Sequence, residues 1–142
     1  MESMFVRVPV AVKAKVTENL KLKIIGDLQN KIKEMNLDLE KFDFEMKKVM
    51  DQVAAEHGPV DQVRMQIQAE RQKRVGVKED AEEQLQRAQD LEIGTEISST
   101  NLLERTVEIK IGTDLEALMG AEILTEDGKS IALRESFRGV IP

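Results

Sequence analysis

The side chains best suited to chemistry in this sequence are few, and they do not form a catalytic or metal-binding set. The chain has 142 residues, with one His and no Cys. A Ser-His-Asp triad, a cysteine nucleophile and a thiolate zinc site therefore lack their essential side chains. His57 stands beside Glu56 and near Asp61, so a metal or acid–base role would need groups from another chain. We interpret His57 as a solvated turn residue.

Acidic residues gather near the C-terminus, where they match a cation site only in composition. Glu122, Glu126 and Asp127 offer carboxylate oxygens close together in the sequence. They lack the D-x-D-x-D-G spacing that forms a calcium loop. We therefore predict no catalytic residues, no metal site and no cofactor, and we interpret the chain as a non-enzymatic protein.

One basic cluster points to an alternative function. It consists of Arg71, Lys73, Arg74 and Lys78, and it would suit the RNA contact of an RNA- or ribosome-associated factor. Two features disfavour this role. The chain has a net charge of −6, whereas affinity for nucleic acid depends on neutralising phosphates. The cluster also contains no aromatic side chain on which a base could stack.

The spacing of apolar residues predicts the elements that carry these side chains. Residues 4–16 alternate, with valine or alanine at the even positions from Val6 onward, which is the period of a β-strand. Pro9 has no N–H for a ladder and predicts an edge position or a bulge. At Thr17, a suitable helix N-cap, the period changes to that of a helix. Steps of three and four then define a heptad seam through Ile25, Leu28, Ile32, Met35, Leu39, Phe42, Met46, Val49 and Val53.

A turn divides this helical region in two. Gly58 is expected to adopt a positive φ, and Pro59 suits the first turn of a new helix. The spacing predicts helices over about 18–56 and 60–91, joined by a turn at 57–59, and Gly76 predicts a kink or local fraying. The second seam contains Val60, Val63, Ile67, Val77, Ala81, Ala88 and Leu91, with Arg74 facing Phe42. Because the two seams stay in register when the chain doubles back, they predict an antiparallel coiled-coil hairpin.

The period of two returns after Leu91 and predicts about four further strands. A helical turn capped by Asp114 should separate them, and Glu126-Asp127-Gly128 indicates a hairpin. The stretch from Glu135 to Pro142 has no period and is expected to be loose. We predict an α+β protein in which residues 1–16 and 92–142 form a small antiparallel β body, with closure into a barrel as one arrangement. The helical hairpin, residues 17–91, projects from that body.

Several of these segments together resemble one known family. They are the strand running into a capped helix, the hairpin, Leu91-Glu92-Ile93-Gly94-Thr95-Glu96-Ile97, and the closing Gly120-Ala121-Glu122-Ile123 with Asp127-Gly128-Lys129. The chain resembles the YlqD family of small uncharacterised bacterial proteins over most of its length. This resemblance implies a cytoplasmic bacterial protein without an assigned activity, and it supplies no catalytic residues. In outline the architecture is also similar, by analogy only, to prefoldin-like chaperones, which place coiled-coil tentacles on a β platform.

Apolar residues outside the seam give the leading functional prediction. Leu37 and Phe44 are one heptad apart at an outward position of the first helix, Met50 lies near the tip, and Met65 is outward on the second helix. A hairpin alone would leave them exposed to water. We therefore predict a protein-interaction, scaffold or chaperone-like module that uses these four residues to bind a protein partner or a second copy of itself.

The sequence predicts no association with a membrane. No run approaches the ~20 apolar residues that span a bilayer, and Arg7, Lys13 and Lys15 interrupt the apolar N-terminal stretch. The same charges leave no signal-peptide core. The expected location is cytoplasmic.

Overall fold

A computed structural model of the chain describes residues 1–135 and shows an α+β fold. Residues Leu22–Asp90 form one compact unit, and Met1–Lys21 together with residues 91–135 form another. The elements are β1 (Ser3–Lys15), α1 (Glu18–Ala55), α2 (Val60–Gln89), β2 (Glu96–Ser98), β3 (Leu103–Lys110), α3 (Leu115–Leu118), β4 (Ala121–Glu126) and β5 (Lys129–Glu135).

The five strands form one mixed sheet around β1. The first part of β1 pairs antiparallel with β3, and its last part pairs antiparallel with β2. β1 also pairs in parallel with β4, which in turn pairs antiparallel with β5. The prediction of a purely antiparallel body is therefore wrong. β3 returns antiparallel to β1, and the connection containing α3 then reverses the chain again, so β4 runs in the same direction as β1.

The sheet does not close into a barrel. Its hydrogen-bonded order is β2-β1-β4-β5, with β3 beside β1, and no ladder joins β5 to another strand besides β4 within residues 1–135. Residues Ser3–Val10 of β1 pair with β3 alone, so the segment that contains Pro9 pairs on one side only. The edge position predicted for Pro9 is confirmed, because an edge tolerates the missing N–H.

Alternate positions of β1 and the residue just after it supply most of the buried core of the sheet unit. Val8, Val10 and Val12 of β1 are buried, as are Val16, which follows the strand, and Ala121 and Leu124 of β4. The alternation of side chains across a strand explains why Val8, Val10 and Val12 are buried on one face of β1. It also places the odd-numbered Lys13 on the opposite face.

The start and the end of α1 each have a clear local cause. The backbone N–H of Leu20 donates to Thr17 Oγ1 at 3.1 Å, so Thr17 caps the N-terminus of α1 as predicted.

At the C-terminal end of α1, His57, with φ of 54°, takes the left-handed conformation expected of Gly58. The N–H of Gly58 donates to the Val53 carbonyl and that of His57 to Ala54, which is the Schellman pattern. A Cβ at position 58 would lie 3.1 Å from Val53 Cγ1, a tight contact that glycine avoids.

α2 departs from the predicted seam in its second half. The helix runs unbroken through Gly76, so the predicted fraying is absent, and it ends before Leu91. Val77 is 53% exposed, whereas Lys78 and Leu85 are half-buried. A regular helix has 3.6 residues per turn, so a pattern that repeats every 3.5 residues gradually rotates around it. After several turns the buried side of the helix therefore falls on the residue next to the one that the heptad pattern predicts. The same rotation leaves Val49 37% exposed and Met50 half-buried on α1.

The C-terminal elements follow the predicted turns. Asp114 accepts a hydrogen bond from the Glu116 N–H at 3.0 Å and caps α3. Asp127 and Gly128, with φ of 49° and 85°, form the two-residue turn of the hairpin between β4 and β5. Apart from Glu135, which ends β5, the final stretch predicted to be loose lies outside the described residues.

Candidate functional site

Two ion pairs connect α1 to α2. Arg71 donates to both carboxylate oxygens of Asp43, at 2.9 and 3.2 Å. Arg74 donates to Asp38 at 2.7 Å, and its guanidinium lies 4.5 Å from the centre of the Phe42 ring. The hydrogen bond from Arg71 is the main reason that the pKa of Asp43 lies below its usual value. The predicted contact of Arg74 with Phe42 is therefore present.

The basic cluster proposed for RNA contact is largely occupied by carboxylates. Besides Asp38, Arg74 contacts Glu70 at 3.3 Å, and Lys78 lies 3.9 Å from Glu82. Lys73 is exposed. A cation that already faces a carboxylate must exchange that partner to bind a phosphate, so these pairs reduce the electrostatic attraction that RNA binding requires.

Three of the four outward apolar residues are well exposed. Leu37 is 52%, Phe44 62% and Met65 71% exposed, whereas Met50 is half-buried. Lys48, one turn after Phe44, places its Nζ 4.5 Å from the centre of the Phe44 ring. The outer side of α1 is therefore an apolar stripe, Leu37 and Phe44, with a cation beside it.

A row of charged residues crosses one face of the sheet. Arg134 of β5 donates to both carboxylate oxygens of Glu96 on β2, at 2.7 and 3.0 Å. It also lies 3.5 Å from Glu122, which lies 3.1 Å from Lys13. The hydrogen bond from Arg134 chiefly lowers the pKa of Glu96, and the same bond raises the pKa of Arg134. The sheet thus curls enough for side chains of its outer strands β2 and β5 to meet without a backbone ladder.

An open groove of about 530 Å³ lies beside this row. Its apolar lining includes Val10, Leu103 and Leu133, and Arg105 lies at its wall. Arg105 donates to the Leu118 carbonyl at 3.2 Å and lies 3.7 Å from Glu135, while its Nε is buried without a hydrogen-bond partner in the described structure. Sequence reasoning singled out neither this arginine nor Arg134, since both stand alone among residues of mixed type.

Two of the three acidic residues considered as cation ligands have other partners. Asp127 accepts a hydrogen bond from the Thr17 hydroxyl at 2.6 Å, and Glu122 belongs to the charged row. Within residues 1–135 no three His, Cys, Asp or Glu side chains are grouped so that they could hold a metal ion. His57 is exposed in its turn. None of the helices in that range is both long and apolar enough to span a bilayer.

Comparison with known proteins identifies the family. The YlqD protein family model matches residues 4–134, which is nearly the whole chain. The chain belongs to the YlqD family. A crystal structure of a protein of unknown function from Synechococcus sp. WH 8102 is similar in fold, with a TM-score of 0.83 at 24% sequence identity. The likeness covers 94% of this chain and 97% of that one. No curated protein matches the chain.

Proposed function

We propose that this YlqD-family chain is a non-enzymatic interaction module that binds a helix of a protein partner along the outer side of α1. The exposed stripe of Leu37 and Phe44 is the observation that carries the proposal. A scaffold or chaperone-like role is the biological reading of such a surface. The proposed location remains the cytoplasm of a bacterial cell.

We further propose that α1 and α2 pair as an antiparallel coiled-coil hairpin. Going up α1 from Asp38 to Asp43, the ion-pair partners go down α2 from Arg74 to Arg71, which is the order of an antiparallel pair. The residues of the α1 seam are buried or half-buried except Val49. Leu39 and Phe42, at the middle of that seam, are its most buried members.

In such a hairpin the outward residues of the two helices point in opposite directions. Leu37 and Phe44 are seven residues apart and therefore share one side of α1. Met65 holds the corresponding outward position on α2, so it would contact a partner separately from the α1 stripe. Met50 lies on the flank of α1 near the turn. The α1 stripe is consequently the longer continuous surface, and Met65 is a second and smaller one.

The charges beside the stripe indicate the chemistry of its partner. Six exposed charged residues occupy the positions that flank the stripe, four of them basic: Lys33, Glu34, Glu40, Lys41, Lys47 and Lys48. An amphipathic helix with an apolar seam and acidic flanks complements this surface.

The size of the stripe favours a protein partner over a second copy at this surface. Full burial of a Leu or Phe contributes about 1.5–3 kcal/mol, and roughly half of that is still available at Leu37 and Phe44. A symmetric contact of two stripes would gain about 5 kcal/mol, while association costs at least ~4 kcal/mol. Such a dimer would be weaker than about millimolar. A partner helix that adds its own apolar seam binds more tightly.

The proposal can be tested by capturing proteins from nuclease-treated lysate on immobilised chain. Wild type is compared with Leu37→Glu/Phe44→Glu and with a matched control, Leu22→Glu. Leu22 is a suitable control because it is on α1 and is 62% exposed, as Phe44 is, but lies outside the stripe. We expect one protein to be retained by wild type and by the control and lost from the double variant.

Loss of the same protein from the control would contradict the proposal, as would retention by the double variant. Nuclease treatment separates this function from the RNA alternative. A protein that is captured from untreated lysate, but is lost after nuclease treatment and when the basic cluster is replaced by glutamate, would support RNA association instead. That cluster is Arg71, Lys73, Arg74 and Lys78.

A further inference from the structure

We draw no further inference here: the strongest candidate, the open groove of about 530 Å³ beside Leu103 and Leu133 in the sheet unit, is an apolar surface, and nothing in the structure shows what covers it.

Discussion

Thr17 makes two hydrogen bonds that hold the start of α1, and its replacement by alanine is a sharp test of this local structure. Its Oγ1 accepts from the Leu20 N–H at 3.1 Å and donates to Asp127 at 2.6 Å in the β4–β5 turn. Loss of an N-cap costs about 1 kcal/mol, and loss of a hydrogen bond to a carboxylate costs about 1 kcal/mol at this degree of exposure. We expect Thr17→Ala to lower the free energy of unfolding by about 2 kcal/mol.

The assay is urea denaturation followed by circular dichroism of the helices, because the chain has no Trp or Tyr for fluorescence. A loss of this size should lower the melting temperature by roughly 6 °C in a chain of this length. Thr17→Ser is the matched control, since its hydroxyl can make both hydrogen bonds. A Thr17→Ala variant that unfolds at the wild-type urea concentration would refute this role of the hydroxyl, as would a Thr17→Ser variant that is as destabilised as Thr17→Ala.

Three further results are expected. Because its folded pKa is lowered by Arg71, Asp43 stabilises the fold above its unfolded pKa of about 3.9, and that contribution is lost as the pH falls through the lower folded value. Asp43→Asn should remove this part of the pH dependence, measured as the urea midpoint at each pH. Gly76→Ala should stabilise the chain by about 1 kcal/mol, since a Cβ there meets nothing within 4 Å, whereas Gly58→Ala should destabilise it. RNA binding at low salt should be weak and unchanged by Lys73→Glu, as judged by filter binding.

Each of these results has a clear contradiction. A pH dependence that persists in Asp43→Asn would assign it to other carboxylates. A loss of stability in Gly76→Ala would show that α2 is not a regular helix at that point. Tight, salt-dependent RNA binding that Lys73→Glu abolishes would favour the RNA alternative.

The arrangement of helices and strands could be predicted wherever one period dominated a long segment. The alternation around Val8 and Val12 indicated a strand with one buried face, and the spacing through Leu39 and Phe42 indicated a long helix. Turn residues were equally informative, since Asp127-Gly128 fixed the hairpin between β4 and β5. These signals are local, and local preferences agree with the fold at these places.

The features that could not be predicted depend on small shifts or on contacts between distant residues. Counting from the Asp127-Gly128 turn would place Glu122 opposite Leu133, but an irregularity between Leu124 and Thr125 moves its partner to Arg134. This one-residue shift creates the charged row on the sheet. Whether the sheet closes into a barrel or stays open depends in the same way on pairing between strands far apart in sequence, which periodicity does not report.

The helical site shows the same division. The spacing correctly identified Leu37 and Phe44 as exposed residues, because their positions are opposite the buried side of α1. The spacing failed at Val77, predicted buried but 53% exposed, and at Met50, predicted exposed but half-buried. Over several turns a regular helix rotates away from the heptad pattern, so the neighbouring residue takes the buried position.

The most direct test of the proposed function is photo-cross-linking in living bacterial cells. A photoreactive phenylalanine analogue replaces Phe44 in one strain and Leu22 in another, since both side chains are 62% exposed on the same helix. We expect a discrete covalent adduct with another protein from position 44 and none from position 22. Absence of an adduct at position 44, or the same adduct from both positions, would contradict it.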